Sequence, residues 1–336
     1  TDIDVLVVDE LADFKNAATD RFKALKKLSE GKTYFWGLTG TPIPNKVTDA
    51  WAQCRLINPG TVPPYFGRFR DLVMRQVSQF KWVPRDNALE TVRDAMQPAT
   101  LFRRDECMDL PPTMYETRFV DMTTEQKTAY KQMMATLTAE AADGQIVAVN
   151  EAVKIGKLIQ ICVGCAYGPS GEILHIKSEA RIEELKRLIE ASQGKVIVFI
   201  PLTGGLHSIA EALKDEWKVE VVYGDVSKNE RDRIFSEFKQ PDGLHVIVAH
   251  PRTMCHGLTL VTANTIIWFT PTNNPNEYTQ ANGRITRPGQ KKNTFIIHLE
   301  GSEVEKRMYR RLKEKGDLQG VLLDMIKEEA DEKRIS

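Results

Sequence analysis

The chain has 336 residues, of which 42% are hydrophobic and 27% charged, an ordinary balance for globular domains and long enough for two hydrophobic cores. Its 46 basic and 46 acidic residues cancel, so the protein as a whole does not attract nucleic acid and any basic surface has to be local. No apolar run approaches the roughly 18 residues of a membrane helix, which excludes a helical membrane protein.

The five cysteines follow no regular framework, which indicates free thiols in a reducing, intracellular compartment. We find no targeting segment at the start of the chain. Thr1 precedes an apolar strand by only four residues, and it is not a methionine. We therefore expect the natural chain to begin earlier.

The first predicted element is the short apolar run from Val5 to Val8, which is typical of a buried parallel strand. It ends in Asp9 and Glu10. Because parallel α/β sheets bind ligands at the carboxyl ends of their strands, this acid pair suits Mg²⁺ and ATP. The alternative is that the two acids simply cap the following helix.

Residues 13–29 are predicted to form an amphipathic helix, and Tyr34 to Leu38 a strand. Between them, Gly31-Lys-Thr33 imitates the end of a phosphate-binding P-loop. A P-loop follows a strand and opens a helix, whereas this segment follows a helix and opens a strand. We therefore interpret it as a simple connection.

Residues 46–110 have a mixed pattern, with a helix near Trp51 to Ile57 and another from Phe66 to Phe80. Basic and aromatic residues alternate between Tyr65 and Arg85. This pattern is consistent with a surface that binds a single nucleic-acid strand, and equally with a helix that buries its aromatic stripe and exposes its basic face.

Residues 123–162 are predicted to be helical. Cys162 at the end of this range and Cys165 beyond it form the one pair with metal-ligand spacing. A structural zinc site needs four ligands, and the sequence has no second pair of this spacing. Buried thiols are therefore the favoured interpretation of this pair.

From Ser178 onward, helices alternate with five apolar strands, beginning at Lys195 to Ile200 and ending at Thr294 to His298. This alternation predicts a parallel sheet with helices on both faces.

Arg284 and Arg287 lie three residues apart in the turn-prone stretch from Gln280 to Gln290, which contains no acid. A guanidinium is always charged and donates hydrogen bonds in a planar fork, so two of them can neutralise the charge on a transferring phosphoryl group. The alternative is a solvated surface turn.

This stretch resembles motif VI of superfamily-2 helicases and translocases, in the form found in the Swi/Snf-type branch. Further landmarks follow in the order of that family: DELA at Asp9 to Ala12, LTGTPIPN at Leu38 to Asn45, LFRRDECMDLPP at Leu101 to Pro112, and a motif V-like stretch from Ala249 to Leu260. The resemblance implies an α/β protein with tandem RecA-like lobes and parallel sheets. The first lobe would be incomplete and the second complete, with a helical insertion and C-terminal bracing helices.

The same resemblance implies a division of the chain into four parts. Residues 1–112 would form the carboxy-terminal part of the first lobe, 113–177 a linker and helical protrusion, 178–300 the second lobe, and 301–336 a helical brace.

It also implies roles for particular residues. Asp9, Glu10, Arg284 and Arg287 would be catalytic, with Asp9 holding Mg²⁺ through water and Glu10 deprotonating the attacking water. The residues expected to bind ATP are Gln280, Gly257, Arg284 and Arg287. Those expected to couple the nucleotide to the nucleic-acid track are Thr39, Gly40 and Thr41. Those expected to contact nucleic acid are Thr203, Gly204 and Thr259.

The implied function is an ATP-dependent translocase or helicase on duplex or branched DNA, with contacts to the backbone and no base specificity. In the family the Walker A lysine lies upstream of the Asp-Glu motif, and nothing in these residues replaces it. We therefore expect an N-terminal segment that carries it, in the natural chain or as another chain, and only background ATPase activity from this chain alone. The alternatives are an RNA helicase and a nucleic-acid-binding or regulatory module without turnover. Two residues depart from the pattern of this family. At the positions of His256 and Thr270, many relatives have other residues.

Overall fold

The computed structural model describes residues 4–314 except for 41, 44–45, 80, 101, 103–106, 143–147, 168–172 and 255–257. The expected coupling residue Thr41, the expected ATP-binding residue Gly257, and His256 therefore lie outside the described residues. So does the second half of the expected C-terminal helix pair. The chain forms two compact units, residues 1–103 and 104–336.

Strands β1 (Val5–Val8) and β2 (Tyr34–Gly37) form a parallel two-stranded sheet in the first unit, where the apolar runs predict strands. Helix α1 (Asp20–Ser29) connects them. The expected helix 13–29 starts only at Asp20, because Leu11–Phe14 forms a separate 3-10 turn and the Thr19 hydroxyl caps α1. Gly31-Lys-Thr33 follows this helix and precedes β2, which confirms that it is a connection.

Only one face of this sheet is covered by described residues. That face packs on an apolar cluster whose members include Leu6, Val8, Phe22, Leu25 and Phe35. The opposite face, which we call the open face, exposes alternate side chains of both strands: Val5 (42%), Val7 (49%), Tyr34 (57%) and Trp36 (60%). The register pairs Val5 with Tyr34 and Val7 with Trp36, so these four side chains form one apolar patch.

The rest of the first unit contains helices α2 (Ala50–Ile57), α3 (Phe66–Val73) and α4 (Ala88–Ala95). Between α3 and α4, strands β3 (Met74–Ser78) and β4 (Lys81–Pro84) form an antiparallel hairpin. The expected helix from Phe66 to Phe80 is therefore wrong beyond Val73. Met74 is buried and Arg75 to Ser78 are exposed, so beyond Val73 the segment has no apolar stripe that a helix could bury.

The second unit is built on a six-stranded parallel sheet with the order β5-β12-β11-β8-β10-β9. Its strands are β5 (Thr113–Phe119), β8 (Lys195–Phe199), β9 (Val219–Val222), β10 (Val246–Ala249), β11 (Ala263–Trp268) and β12 (Thr294–Glu300). The short strands β6 (Cys165–Tyr167) and β7 (Ile173–His175) form a separate antiparallel pair. Its helices are α5 (Thr124–Ala142), α6 (Ala148–Val163), α7 (Glu179–Glu190), α8 (Thr203–Leu213), α9 (Lys228–Lys239), α10 (Pro275–Asn282) and α11 (Glu303–Lys313).

Apolar clusters lie on both faces of this sheet, as the alternation of helices and strands predicts. Val196 and Val198 of the central strand β8 belong to one cluster, whereas Ile197 and Phe199 belong to the other. All four side chains are fully buried. The sheet is therefore a covered parallel sheet whose carboxyl edge is available for ligands.

The sequence pattern predicts five strands in this sheet, and the sixth, β5, was missed. It pairs along its whole length with β12, from Thr113 opposite Thr294 to Phe119 opposite Glu300. As an edge strand it leaves Met114, Tyr115 and Phe119 exposed, so it has no buried apolar run to mark it.

Helices α5 and α6 pack against this core rather than apart from it. Met134 and Leu137 of α5, and Leu158 and Ile159 of α6, belong to the same cluster as the sheet residues. Buried Gln126 fastens the pair, since its Nε2 donates to the carbonyls of Ile161 (2.9 Å) and Cys162 (2.8 Å).

The Cys162 and Cys165 side chains are both buried, in agreement with the sequence interpretation. The Cys162 thiol lies 3.3 Å from the Ser302 hydroxyl, to which it donates. Burial raises the pKa of the Cys162 thiol far above its usual range. Burial also raises the pKa of the Cys165 thiol, so it favours the neutral form of both side chains. Within the described ranges, no helix is both long enough and apolar enough to cross a bilayer.

Candidate nucleotide and nucleic-acid sites

The acid pair lies at the carboxyl end of the sheet in the first unit. Leu38 N donates to the Val8 carbonyl (2.8 Å) and Leu11 N donates to the Leu38 carbonyl (2.9 Å), so the ends of β1 and β2 are joined. Asp9 and Glu10 follow β1, and Thr39 and Gly40 follow β2. Because β1 and β2 are parallel, these four residues lie at the same edge of the sheet.

Glu10 has a left-handed backbone, with φ 53° and ψ 50°. A side chain at such angles costs about 1–2 kcal/mol, because Cβ crowds the carbonyl oxygen. Asp9 offsets part of this cost, since its Oδ1 accepts the Glu10 N–H at 2.9 Å. Asp9 is exposed and Glu10 half-buried, so both carboxylates can reach a ligand. Backbone strain at such a position is typical of functional residues.

Gly37 and Gly40 have different roles at this edge. A Cβ at Gly37 would lie 2.5 Å from Leu11 Cδ2 and 2.6 Å from Ile57 Cδ1, so a larger residue there would have to displace both side chains. A Cβ at Gly40 would meet nothing within 4 Å. Thr39 is half-buried, whereas Gly40 lies open at the surface.

In the second unit, the arginine stretch begins on α10. Asn274 caps this helix, since its Oδ1 accepts from the backbone of Asn276 (3.0 Å) and Glu277 (3.3 Å). Pro275 at the first helical position suits this start. Gln280 is half-buried in the last turn of α10, and the helix ends at Asn282. The Asn282 Oδ1 accepts the indole N–H of Trp268 at 2.8 Å, which ties the helix end to β11.

Arg284 and Arg287 differ in their surroundings. Arg284 is only 3% exposed, its Nη1 donates to the Leu258 carbonyl (3.0 Å), and its own carbonyl accepts the Leu260 N–H (3.0 Å). Arg287 is half-buried, and its Nε donates to the Gly283 carbonyl (3.0 Å). Among the described residues no carboxylate pairs with Arg287. Its charge can therefore meet an external anion, whereas Arg284 fastens the loop.

Gln290 is a residue of this stretch that sequence reasoning did not assign. Its Nε2 donates to the carbonyls of Ala263 (2.9 Å) and Ile285 (3.0 Å), and its Oε1 accepts the N–H groups of Lys291 and Lys292, both at 3.0 Å. It thus closes the arginine loop onto the first residue of β11. Gly289, with φ 98°, supplies the turn before it. Gln290 is the last residue of the motif VI-like stretch from Gln280 to Gln290, but the motif does not show which of its members is structural.

The described end of the motif V-like stretch leads into β11. The Leu260 carbonyl accepts the N–H of Ala263, the first residue of that strand, at 3.0 Å. Thr259 is exposed and stands between the two residues that bond to Arg284.

Thr203 and Gly204, by contrast, lie at the carboxyl end of β8, as expected. Thr203 is exposed at the first position of α8, and Gly204 is half-buried. The next residue, Gly205, packs so closely that a Cβ would lie 2.6 Å from Ile200 Cδ1. His250 follows the neighbouring strand β10, and burial lowers the pKa of its imidazole, so this edge carries a neutral histidine.

A buried ion pair supports the strand that leads into α10. Arg181 donates to Glu305 through two bonds, Nη1 to Oε1 at 2.7 Å and Nη2 to Oε2 at 2.9 Å. Arg181 Nη1 also donates to the Phe269 carbonyl (2.7 Å), and the Thr270 hydroxyl lies 3.3 Å from Glu305. Thr270, which departs from many relatives, thus bonds to an acid supplied by α11.

Comparison with known proteins gives two family matches. Residues 1–163 match the SNF2-related domain, and residues 180–289 match the helicase conserved C-terminal domain. Together they include the acid pair, Thr203, Thr259 and both arginines.

Individual relatives agree. The chain is 25% identical over 313 residues to the "Putative ATP-dependent helicase/translocase YwqA" of Bacillus subtilis (strain 168), covering 88% of this chain and 32% of that protein. It is 22% identical over 370 residues to the "DNA repair and recombination protein RAD54-like" of Drosophila pseudoobscura pseudoobscura, covering 96% of this chain and 46% of that protein. The chain thus spans less than half the length of either relative.

A solved structure, the C-terminal part of the Fun30 ATPase domain, covers 67% of this chain and 99% of its own with a TM-score of 0.53 and 18% identity. This likeness concerns the fold. With the six-stranded parallel sheet and the two domain matches, it shows the α/β, RecA-like architecture that the motifs imply. The chain belongs to the Swi/Snf-type branch of the superfamily-2 helicases and translocases.

Proposed function

We propose that this chain supplies two half-sites of an ATP-dependent DNA translocase. One is the acid pair Asp9 and Glu10, which activates water, and the other is the loop that carries Arg287. The observation that carries the proposal is the contrast within the arginine stretch. Arg284 and Gln290 hold the loop by hydrogen bonds, while Arg287 keeps its charge free of any described carboxylate. A fixed loop that presents an unneutralised guanidinium is suited to stabilise negative charge on a phosphoryl group.

In this proposal the acid pair and the arginine loop both serve ATP hydrolysis. Glu10 orients and deprotonates the attacking water, and Arg287 stabilises the charge that develops on the γ-phosphate. Arg284 positions the loop, and Gln280 and Gly257 contact the nucleotide. Thr39, Gly40 and Thr41 respond to the nucleotide state.

The acid pair suits Mg²⁺, since an exposed carboxylate is the hard oxygen donor that this ion prefers. Asp9 would hold the ion through water, and the bound ion would neutralise phosphate charge. Asp9 also accepts the Glu10 N–H, so the same residue keeps the catalytic carboxylate in place.

We propose further that a segment carrying the Walker A lysine covers the open face of the first sheet. The four exposed side chains of the open face belong to a parallel sheet, and parallel sheets are almost always covered on both faces. This segment would belong to the same natural chain or to another one. The 336 residues alone should then show no more than background ATPase activity.

DNA is the proposed track because relatives such as the RAD54-like protein are named for DNA repair and recombination. Thr203 and Gly204, at the carboxyl edge, would contact the backbone of the DNA. Thr259 lies next to the Arg284 contacts instead, so we propose that it connects this track to the arginine loop.

The test is steady-state ATPase activity of the natural protein that carries this chain, with duplex DNA, forked DNA and RNA compared at equal nucleotide concentration. We expect duplex DNA to stimulate most, and Glu10→Gln to abolish stimulated turnover while ATP binding remains nearly intact. Stimulation by RNA alone would favour an RNA helicase. Absence of any turnover that depends on Glu10 would favour a binding or regulatory module.

A further inference from the structure

The segment from Tyr65 to Arg85 concentrates positive charge in an otherwise neutral chain. It contains five basic residues, Arg68, Arg70, Arg75, Lys81 and Arg85, and one acid, Asp71. A nucleic-acid surface on a neutral protein has to be local, and this is such a local excess. It lies outside every motif that the proposed function uses.

Two of these cations hold the β3–β4 hairpin in place. Arg85 Nε donates to the carbonyls of Asp71 (3.0 Å) and Met74 (3.1 Å). Arg70 stacks over the Trp82 ring with its Cζ 3.8 Å from the ring centroid, and it pairs with Asp71. These contacts fasten the hairpin to α3, so they are not free for a ligand.

The two faces of the hairpin differ. Met74 and Trp82 pack into the core of the first unit. The register places Arg75 opposite Val83, and Lys81 shares that face with Val83 because strand residues alternate. Arg75 and Lys81 are both exposed. In the part of the chain that the structure describes, neither forms an ion pair.

Some other exposed cations of this unit have acids beside them. Arg93 lies 3.6 Å from Glu90 and 3.5 Å from Asp94, and Lys23 lies 3.2 Å from Asp20. Arg75 and Lys81 differ from these paired cations in that their charge is not neutralised by a described acid. Arg68 on α3 is exposed as well, and no described carboxylate pairs with it.

We propose that the outward face of the β3–β4 hairpin, through Arg75 and Lys81, binds the phosphate backbone of duplex DNA. The inference rests on the proposed action on DNA and adds a contact in the first unit. A guanidinium and an ammonium on a hairpin that Arg85 and Arg70 fasten to α3 suit phosphate oxygens. Val77, two residues after Arg75, is exposed, and its side chain has no hydrogen-bonding group that could read bases. The contact supplies affinity without sequence preference.

The test is the salt dependence of duplex DNA binding, measured by fluorescence anisotropy with the natural protein and its Arg75→Gln/Lys81→Gln variant. Each lost phosphate contact lowers the slope of log affinity against log salt by about 0.9. We therefore expect the slope to fall by nearly 2 and affinity at low salt to fall several-fold. The matched control, Arg93→Gln/Lys23→Gln, removes the same charge at paired positions and should keep the slope.

A second measurement places the contact directly. A photocrosslinking amino acid at Val77 should attach to DNA, whereas the same group at Leu89, which is 68% exposed on α4, should not. Unchanged slopes and no Val77 crosslink, in a protein that still binds DNA, would overturn this inference and leave the translocase proposal standing. Lack of DNA binding by the unaltered protein would overturn both. Crosslinking of Val77 to an added acidic polypeptide but not to DNA would show that the face binds protein.

Discussion

Glu10 carries backbone strain at the position where we propose that its carboxylate activates water. Its left-handed backbone turns the chain directly after β1, and its N–H is bonded to the Asp9 carboxylate. Glycine would adopt these angles without strain, but it would lack the carboxylate that the proposal requires. Sequence reasoning found the residue from its motif and missed its backbone strain, because dihedral angles leave no signal in a strand-terminal Asp-Glu pair.

We expect Glu10→Gly to leave the free energy of unfolding of the chain unchanged or to raise it by up to about 1 kcal/mol, since the relieved strain exceeds the entropy cost of glycine. In the natural protein that carries this chain, the same substitution should abolish DNA-stimulated turnover. The control is Asp13→Gly in the adjacent 3-10 turn, which should lower stability. Urea unfolding measures both, and a loss of stability in Glu10→Gly equal to the control would show that Glu10 is not strained.

His298 predicts a pH dependence of stability. It is fully buried on β12, its Nε2 lies 2.9 Å from the Tyr278 hydroxyl, and its ring stacks on Tyr309 at 4.3 Å. Burial lowers its pKa to about 3. An unfolded histidine has a pKa of about 6.5, so between these values only the unfolded chain binds the proton. The free energy of unfolding therefore falls as pH drops below about 6.5, by at most about 1.4 kcal/mol per pH unit.

Urea unfolding between pH 7.5 and 4.5, a range chosen around the histidine pKa of about 6.5, measures this slope. His298→Phe keeps the stacked ring and removes the proton site, so the slope should become smaller even though the lost Tyr278 bond lowers stability at every pH. Exposed His207 supplies the control, since His207→Phe should keep the slope. Equal slopes for the original chain and His298→Phe would contradict the prediction.

At the scale of elements, strands that contain an apolar run were predictable, including the edge strand β9, whereas segments without such a run were missed. Val196–Phe199 of β8 and all of β10 are apolar, because helices cover both faces of their sheet. Edge strand β5 and the β3–β4 hairpin expose many of their side chains, so their patterns resemble those of loops and helices. In the candidate site, the motif treats Arg284 and Arg287 alike, whereas the burial of Arg284 depends on a tertiary contact with Leu258.

The arginine loop should depend on Gln290 as an element. Gln290→Ala removes two donated and two accepted hydrogen bonds and leaves the Ala263 and Ile285 carbonyls without this donor. We expect a loss of about 1–3 kcal/mol in stability and a fall in maximal turnover larger than any change in KM for ATP. Lys291→Ala, an exposed neighbour, should change neither. If Gln290→Ala loses stability but keeps maximal turnover, the clamp does not set the position of Arg287.

At the scale of the whole molecule, the open face of the first sheet should govern association. Its two valines, Tyr34 and Trp36 form an exposed apolar patch on strands whose outer edges have no described partner. We expect the 336-residue chain to self-associate, and Val7→Thr/Trp36→Lys to reduce this in sedimentation velocity. Substitutions on the covered face would unfold the unit, so they cannot serve as a control. The control is Leu89→Lys, which adds a charge at an exposed apolar residue of α4, away from the open face. Equal association of the original chain and the double variant would show that the patch is not the cause.

The central claim is that Arg287 belongs to the ATP site and acts in the transition state. The most direct measurement is steady-state ATPase activity of the natural protein against DNA concentration, with nucleotide binding measured in parallel, for the original sequence, Arg287→Ala and Arg287→Lys. We expect Arg287→Ala to lower maximal turnover by about 10³ or more, with little change in DNA affinity and a modest loss in ATP binding. Arg287→Lys should recover little of the lost turnover, because an ammonium cannot reproduce the forked hydrogen bonds of a guanidinium. Near-normal maximal turnover of Arg287→Ala combined with weaker DNA binding would place the arginine on the nucleic-acid track and contradict the assignment.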